Sequence, residues 1–182
     1  MNFKSLIIPV SILGVIGLTI GSIVSAGNTV TATVTPGNYS VSVSPASANY
    51  SGMTLSETKS SATITATSDG SLAAKINIIG ADATYTTYTW TQSTTAPGTD
   101  TFVHAFSTKA TAPASGATLG SDPTVEWVAL DKGATYKTLV ASLASAGTQD
   151  FKLDMRTPTT AGAETSFGNQ YSTSVTLQAV AP

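Results

Sequence analysis

The stretch "DFKLDMRT", residues 150–157, alternates apolar and charged side chains without a break. A period of two places Phe151, Leu153 and Met155 on one face and Lys152, Asp154 and Arg156 on the other. That pattern predicts a half-buried antiparallel strand whose charged face meets water. The alternation continues outward in both directions. Toward the C-terminus, 170–180 carries Tyr171, Thr173, Val175, Leu177 and Ala179 in phase. Toward the N-terminus, candidate strands fall at 29–35, 39–43, 62–67, 72–79, 85–91, 101–107 and 125–130, rich in Thr, Val, Ile and Tyr. Turn residues punctuate them: Pro36-Gly37, Asp69-Gly70, Pro97-Gly98, Ser115-Gly116, Asp131-Lys132-Gly133 and Ala161-Gly162. Many short strands at this spacing predict an all-β chain, an antiparallel β-sandwich of immunoglobulin-like or jelly-roll type. The segment 136–146 reads equally well as a short helix or as a strand and turn. The Ser/Thr/Pro-rich segments 91–97 and 109–123 read as exposed loops, and 27–182 reads as a single domain.

The N-terminus sets the expected compartment. One positive charge at Lys4 precedes an almost wholly apolar run over 6–24, and Val24-Ser25-Ala26 then supplies small residues at a cleavage site. This is the layout of a secretory signal peptide over 1–26, with cleavage between Ala26 and Gly27. The rival reading is a retained anchor, since such a run is long enough to span a bilayer. Pro9, Gly14, Gly17 and Gly21 weaken that helix. A secreted or cell-surface protein is expected, and one with no Cys must hold itself together without disulfides. Only 10% of residues are charged and the net charge is −2. This leaves no basic footprint for nucleic acid and no polybasic patch for anionic lipid. Membrane contact is expected only through the signal segment before cleavage.

The inventory of chemical groups points away from an enzyme. With one His and no Cys, thiol nucleophiles and Cys or multi-His metal sites are ruled out. His104 lies in phase with Phe102 and Phe106, and no nucleophile elbow accompanies it. The expected role is a histidine at the edge of an aromatic face, bonded to a carbonyl or water. The carboxylates are scattered, with Asp150 and Asp154 flanking Lys152 as a solvated strip. No cofactor and no dedicated metal site is signalled, although loop carboxylates leave room for weak calcium binding. Tyr88 and Trp90 share a face of one candidate strand, with Tyr85 on the other. They are either a stacking platform for a glycan or filling for the core. Asn38-Tyr39-Ser40 and Asn49-Tyr50-Ser51 match the N-glycosylation acceptor pattern.

An export signal followed at once by a Thr/Val strand pair, then "PGTDTFVHAFST", "VEWVAL", "LVASLASAGTQDFKLDMRTPT" and a closing "QYSTSVTLQAVA", resembles the Cys-free secreted β-sandwich surface proteins of bacteria. The layout is similar to the camelysin/TasA-type matrix-fibre proteins and, more distantly, to WxL-type wall-binding domains. Trp127-Val128-Ala129-Leu130 is not a Trp-x-Leu, and one His does not support a metalloprotease. The resemblance implies a non-catalytic extracellular subunit whose partners are copies of itself or other cell-surface components. It also implies polymerisation through a donated N-terminal strand. The segment 28–35, with Val30, Ala32 and Val34 on one face, is the candidate donor. Pro36-Gly37 suits a type II turn, which fits a tight hairpin badly, so this strand is expected to leave its own domain or cross to another sheet. An ordinary edge strand is the bland alternative, and a glycan- or wall-binding module is the alternative function.

Overall fold

The computed structural model of the protein describes residues 36–162 and 170–182. The cleavage site at Ala26 and Gly27 and the segment 28–35 with Val30, Ala32 and Val34 lie outside the described residues. Eleven strands follow in chain order: β1 (Val41–Ser44), β2 (Thr58–Ser60), β3 (Ile64–Ser68), β4 (Ala74–Gly80), β5 (Ala83–Tyr85), β6 (Tyr88–Gln92), β7 (Thr101–Ser107), β8 (Val128–Ala129), β9 (Lys137–Leu143), β10 (Thr148–Arg156) and β11 (Val175–Val180). No helix occurs among the described residues, so the segment around 136–146 is a strand, not a helix.

The strands form two sheets. The larger runs β1-β3-β10-β7-β6-β5, with β2 also on β10 and β8 also on β7; the smaller runs β11-β4-β9. Pairing is antiparallel except between β6 and β7, where Thr91 lies opposite Thr101 and Gln92 opposite Phe102 in a parallel step. The purely antiparallel expectation is thus corrected. The Pro97-Gly98 turn, closed by Gly98 N donating to Thr101 O at 3.0 Å, brings the start of β7 back beside the end of β6. The strand expected over 85–91 is instead a hairpin. Thr86, at φ 50°, reverses the chain between β5 and β6, and Tyr85 pairs with Tyr88. Opposite residues of an antiparallel pair share a face, so Tyr85 lies on the Tyr88 and Trp90 side, contrary to the unbroken-strand reading.

A single apolar cluster joins the sheets. Ile64, Phe106, Phe151 and Leu153 of the large sheet pack with Ile76, Ile78, Leu139 and Leu143 of the small one. Phe151 and Leu153 are buried as the alternation required.

The other face of β10 overturns its expectation. Asp154 is fully buried and Arg156 nearly so, rather than facing water. The cause is the segment 109–123, which is an exposed loop as read from sequence but also covers the sheet with its inner side. It lies over β7 and β10, where Ala112, Ala117 and Leu119 pack with Val103, Ala105, Trp127 and Ala129 in a second cluster. Trp127 Nε1 donates to Ala114 O at 2.9 Å. The Asp154 carboxylate accepts from Ser115 Oγ at 2.6 Å, Gly116 N at 3.1 Å and Ser60 Oγ at 3.0 Å. Arg156 Nε donates to Asp154 at 3.1 Å, and its Nη2 donates to Ala117 O. A loop laid over a sheet needs partners for its backbone groups. The buried ion pair supplies two of them, for Gly116 N and Ala117 O.

Candidate functional site

No strand pairing joins the two sheets among the described residues, and β1 and β11 approach each other without pairing. β1 pairs only with β3, and β11 pairs only with β4, among the described residues. Their inward rows, Val41 and Val43 on one side and Val175, Leu177 and Ala179 on the other, are only partly buried against the core. A cleft of about 920 Å³ opens beside these rows, walled by Val43, Ile64, Phe151 and Leu153 of the large sheet, Val175 and Leu177 of β11, and the segments 45–53 and 170–174. It lies at the end of the domain where β1 finishes: Ser44 is opposite Thr65, and Phe151 opposite Ile64. Each unpaired strand edge carries a row of free backbone donors and acceptors.

His104 and Tyr50 sit deep in this cleft. Tyr50 Oη and His104 Nε2 are 3.1 Å apart, with the rings edge to face at 5.8 Å. His104 is 2% exposed, and its Nδ1 has no hydrogen-bond partner. Burial lowers its pKa from 6.5 to about 4, against the opposing pull of the Asp154 charge. Burial also raises the Tyr50 pKa, helped by Asp154 and partly offset by the Ser61 hydroxyl. The imidazole is therefore neutral at neutral pH and a weak base there. Asp154 alternates onto the opposite face of β10 and is held by Ser60, Ser115, Gly116 and Arg156, so it does not orient the imidazole as a triad carboxylate does. The expected carbonyl or water partner for His104 is replaced by a tyrosine hydroxyl. No cluster of three His, Asp or Glu side chains suited to a metal occurs among the described residues.

Trp90 closes the far wall. Its ring stacks on Tyr171 at 3.9 Å and 10°, and Tyr85 meets Tyr171 at 6.0 Å. The bridge between Thr84 and Ser172 brings this segment onto β5. Tyr88 and Trp90 do lie on one face of β6 and are half-buried, but one ring face of Trp90 is already occupied by Tyr171. A sugar would have only the remainder. Of the two sequons, Asn38 Oδ1 accepts from Ser71 N at 3.0 Å and Asn49 Oδ1 from Ser51 N at 2.8 Å. Sequence reasoning missed Tyr50 because 45–53 shows neither period, and it placed Tyr171 in a strand that begins only at Val175. The aromatic between Asn49 and Ser51 was the one available signal.

The chain enters the domain at the opposite end from the cleft. Asn38 N donates to Ser71 Oγ at 3.1 Å, Ser71 N donates to Asn38 Oδ1 at 3.0 Å, and Leu72 N donates to Asn38 O at 3.3 Å. A Cβ on Gly37 would fall 2.4 Å from Leu72 Cγ, so any larger residue there would have to displace the exposed Leu72 side chain. These contacts fix Asn38 to the β3–β4 turn, beyond the end of β1 where Val41 pairs with Ser68. No protein-family model, no curated protein and no solved structure matches this chain.

Proposed function

We propose that the protein is an exported, non-catalytic surface subunit that polymerises head to tail by donating residues 28–35 to a neighbouring copy. In this reading the domain is a β-sandwich of immunoglobulin-like or jelly-roll type, freed at Gly27 when the signal segment is removed. The partner is a second copy of the chain, and no cofactor takes part. The observation that carries the reading is the placement of exit and opening. Asn38, held on Ser71, lies at one end of β1, and the cleft beside the half-buried Val and Leu rows lies toward the other. An added strand with Val30, Ala32 and Val34 inward would cover those rows while satisfying an open edge, the physics of β-augmentation. Head-to-tail donation need not close on itself, and where it does not it extends as a filament.

Deletion of Gly27–Thr35 tests this. The mature chain starting at Gly27 should give concentration-dependent assemblies by sedimentation and fibres in negative stain. The deleted chain should remain a folded monomer and should bind a synthetic peptide of residues 28–35. A mature chain that stays monomeric at every concentration, together with a deletion that unfolds the domain, would mean that the strand belongs to its own sheet. Intact mass of the exported protein should begin at Gly27; a product retaining 1–26 would refute the processing step.

A further inference from the structure

The chain carries two Asn-x-Ser tripeptides, 38–40 and 49–51, and the fold holds them in different ways. We infer that Asn49 is a site of N-linked glycosylation on the folded domain and that Asn38, with the same motif, is not. This assignment rests on the export reading above, because N-linked sugars belong to surface loops of exported chains.

Transfer of a sugar to a carboxamide needs an exposed asparagine, the hydroxyl two residues on, and a backbone free to enter the transferase. The segment 49–51 meets all three. Asn49 and Ser51 are exposed. Ser51 N donates to Asn49 Oδ1 at 2.8 Å, an Asx turn that folds the carboxamide back toward Ser51. Next to them, a Cβ added to Gly52 would meet nothing within 4 Å, so the space on this side is open. Residues 45–53 make no backbone–backbone hydrogen bond among the described residues. Side chains hold them instead: Tyr50 Oη lies on His104 Nε2, and Lys59 Nζ donates to Ser51 O at 2.7 Å.

Asn38 is exposed as well, but its tripeptide is tied down through the backbone. The Asn38 Oδ1 accepts from Ser71 N rather than from Ser40 N, and Asn38 O accepts from Leu72 N at 3.3 Å. Ser40 is half-buried, and its O accepts from Asp69 N at 3.0 Å. Freeing 38–40 would mean detaching the chain from the β3–β4 turn, next to the Val41–Ser68 pair that opens β1. Freeing 49–51 costs no such ladder.

The donor is a lipid-phosphate-linked sugar. Asn49 Nδ2 forms a bond to the anomeric carbon, and the bond from that carbon to the phosphate oxygen breaks. The phosphate leaves with the electron pair and takes up the proton that Nδ2 gives up, so nothing is oxidised or reduced. A sugar at Asn49 stands beside the cleft that 45–53 helps to wall. It adds hydroxyls to a chain of which only 10% of residues are charged.

Protein recovered from outside the cells that naturally make it provides the test. In the exported chain one tryptic peptide, from Gly27 to Lys59, holds both asparagines, and electron-transfer fragmentation places any added mass on one or the other. The expected result is sugar on Asn49 and none on Asn38, with the added mass lost in N49Q and in S51A and kept in N38Q. An exported chain that begins at Gly27 with Asn49 bare would overturn the glycosylation and leave export standing. Sugar found on Asn38 as often as on Asn49 would overturn the selection by the fold. A chain found only inside the cells, with 1–26 still attached and Asn49 bare, would overturn both readings.

Discussion

At the scale of single residues, the buried polar groups decide how the fold responds to acid. His104 carries a pKa of about 4 when folded against 6.5 as a free side chain. Between those values the unfolded chain holds a proton that the folded chain does not, so stability falls as pH drops through that window. The shift corresponds to roughly 3 kcal/mol, fully present above pH 6.5 and fully lost below about 4. Urea unfolding at pH 7.5 and pH 4 should show that loss as the difference between the native chain and His104→Leu, whose profile keeps only the carboxylate contribution. Equal pH slopes for the two chains would remove the buried imidazole as the cause. Asp154 carries a different penalty. Asp154→Ala leaves the Arg156 guanidinium, about 10% exposed, without its counter-ion. Breaking a buried pair in this way costs about 3–5 kcal/mol. Asp150→Ala, on the exposed Thr65 contact, should cost about 1 kcal/mol or less. Urea midpoints of the two variants check the contrast.

At the scale of elements, β10 shows what alternation can and cannot say. The apolar row Phe151 and Leu153 was legible because a period of two forces it to one side. The charged row was assigned to water because local sequence carries no information about what is laid over a sheet. Segment 109–123 has no period, few apolar residues and many turn formers. Its docking on the sheet depends on Trp127, four residues beyond its end, and on hydrogen bonds it donates to Asp154 of β10. Hairpin β5–β6 was read as one strand for a similar reason: Thr86-Thr87 has strand-like composition, and only the positive φ at Thr86 reveals the turn. Trp127→Ala should therefore detach a covering layer rather than dissolve the core between the sheets. Amide exchange should rise across 109–123 and around Asp154, while β4 and β9 keep their protection. The cost should be about 3–5 kcal/mol. Uniform loss of protection across both sheets would show instead that the covering layer and the main core fold as one unit.

At the scale of the whole molecule, the sequence announced an all-β chain and most strand positions, since these follow from local period and turn chemistry. The cleft was not legible. It is lined by β1 and β11, which are far apart in sequence, by Tyr50 from a segment without a strand pattern, and by Tyr171, whose in-phase position lies ahead of the strand that begins at Val175. The clamp of Asn38 on Ser71 has a mechanical consequence. A pull on the chain ahead of Pro36 enters the domain there and continues along the axis of β1. The ladder from Val41–Ser68 to Ser44–Thr65 lies across that line of tension. Its bonds would be strained together in shear, not peeled open one after another, so the domain meets extension from this terminus at its more resistant angle.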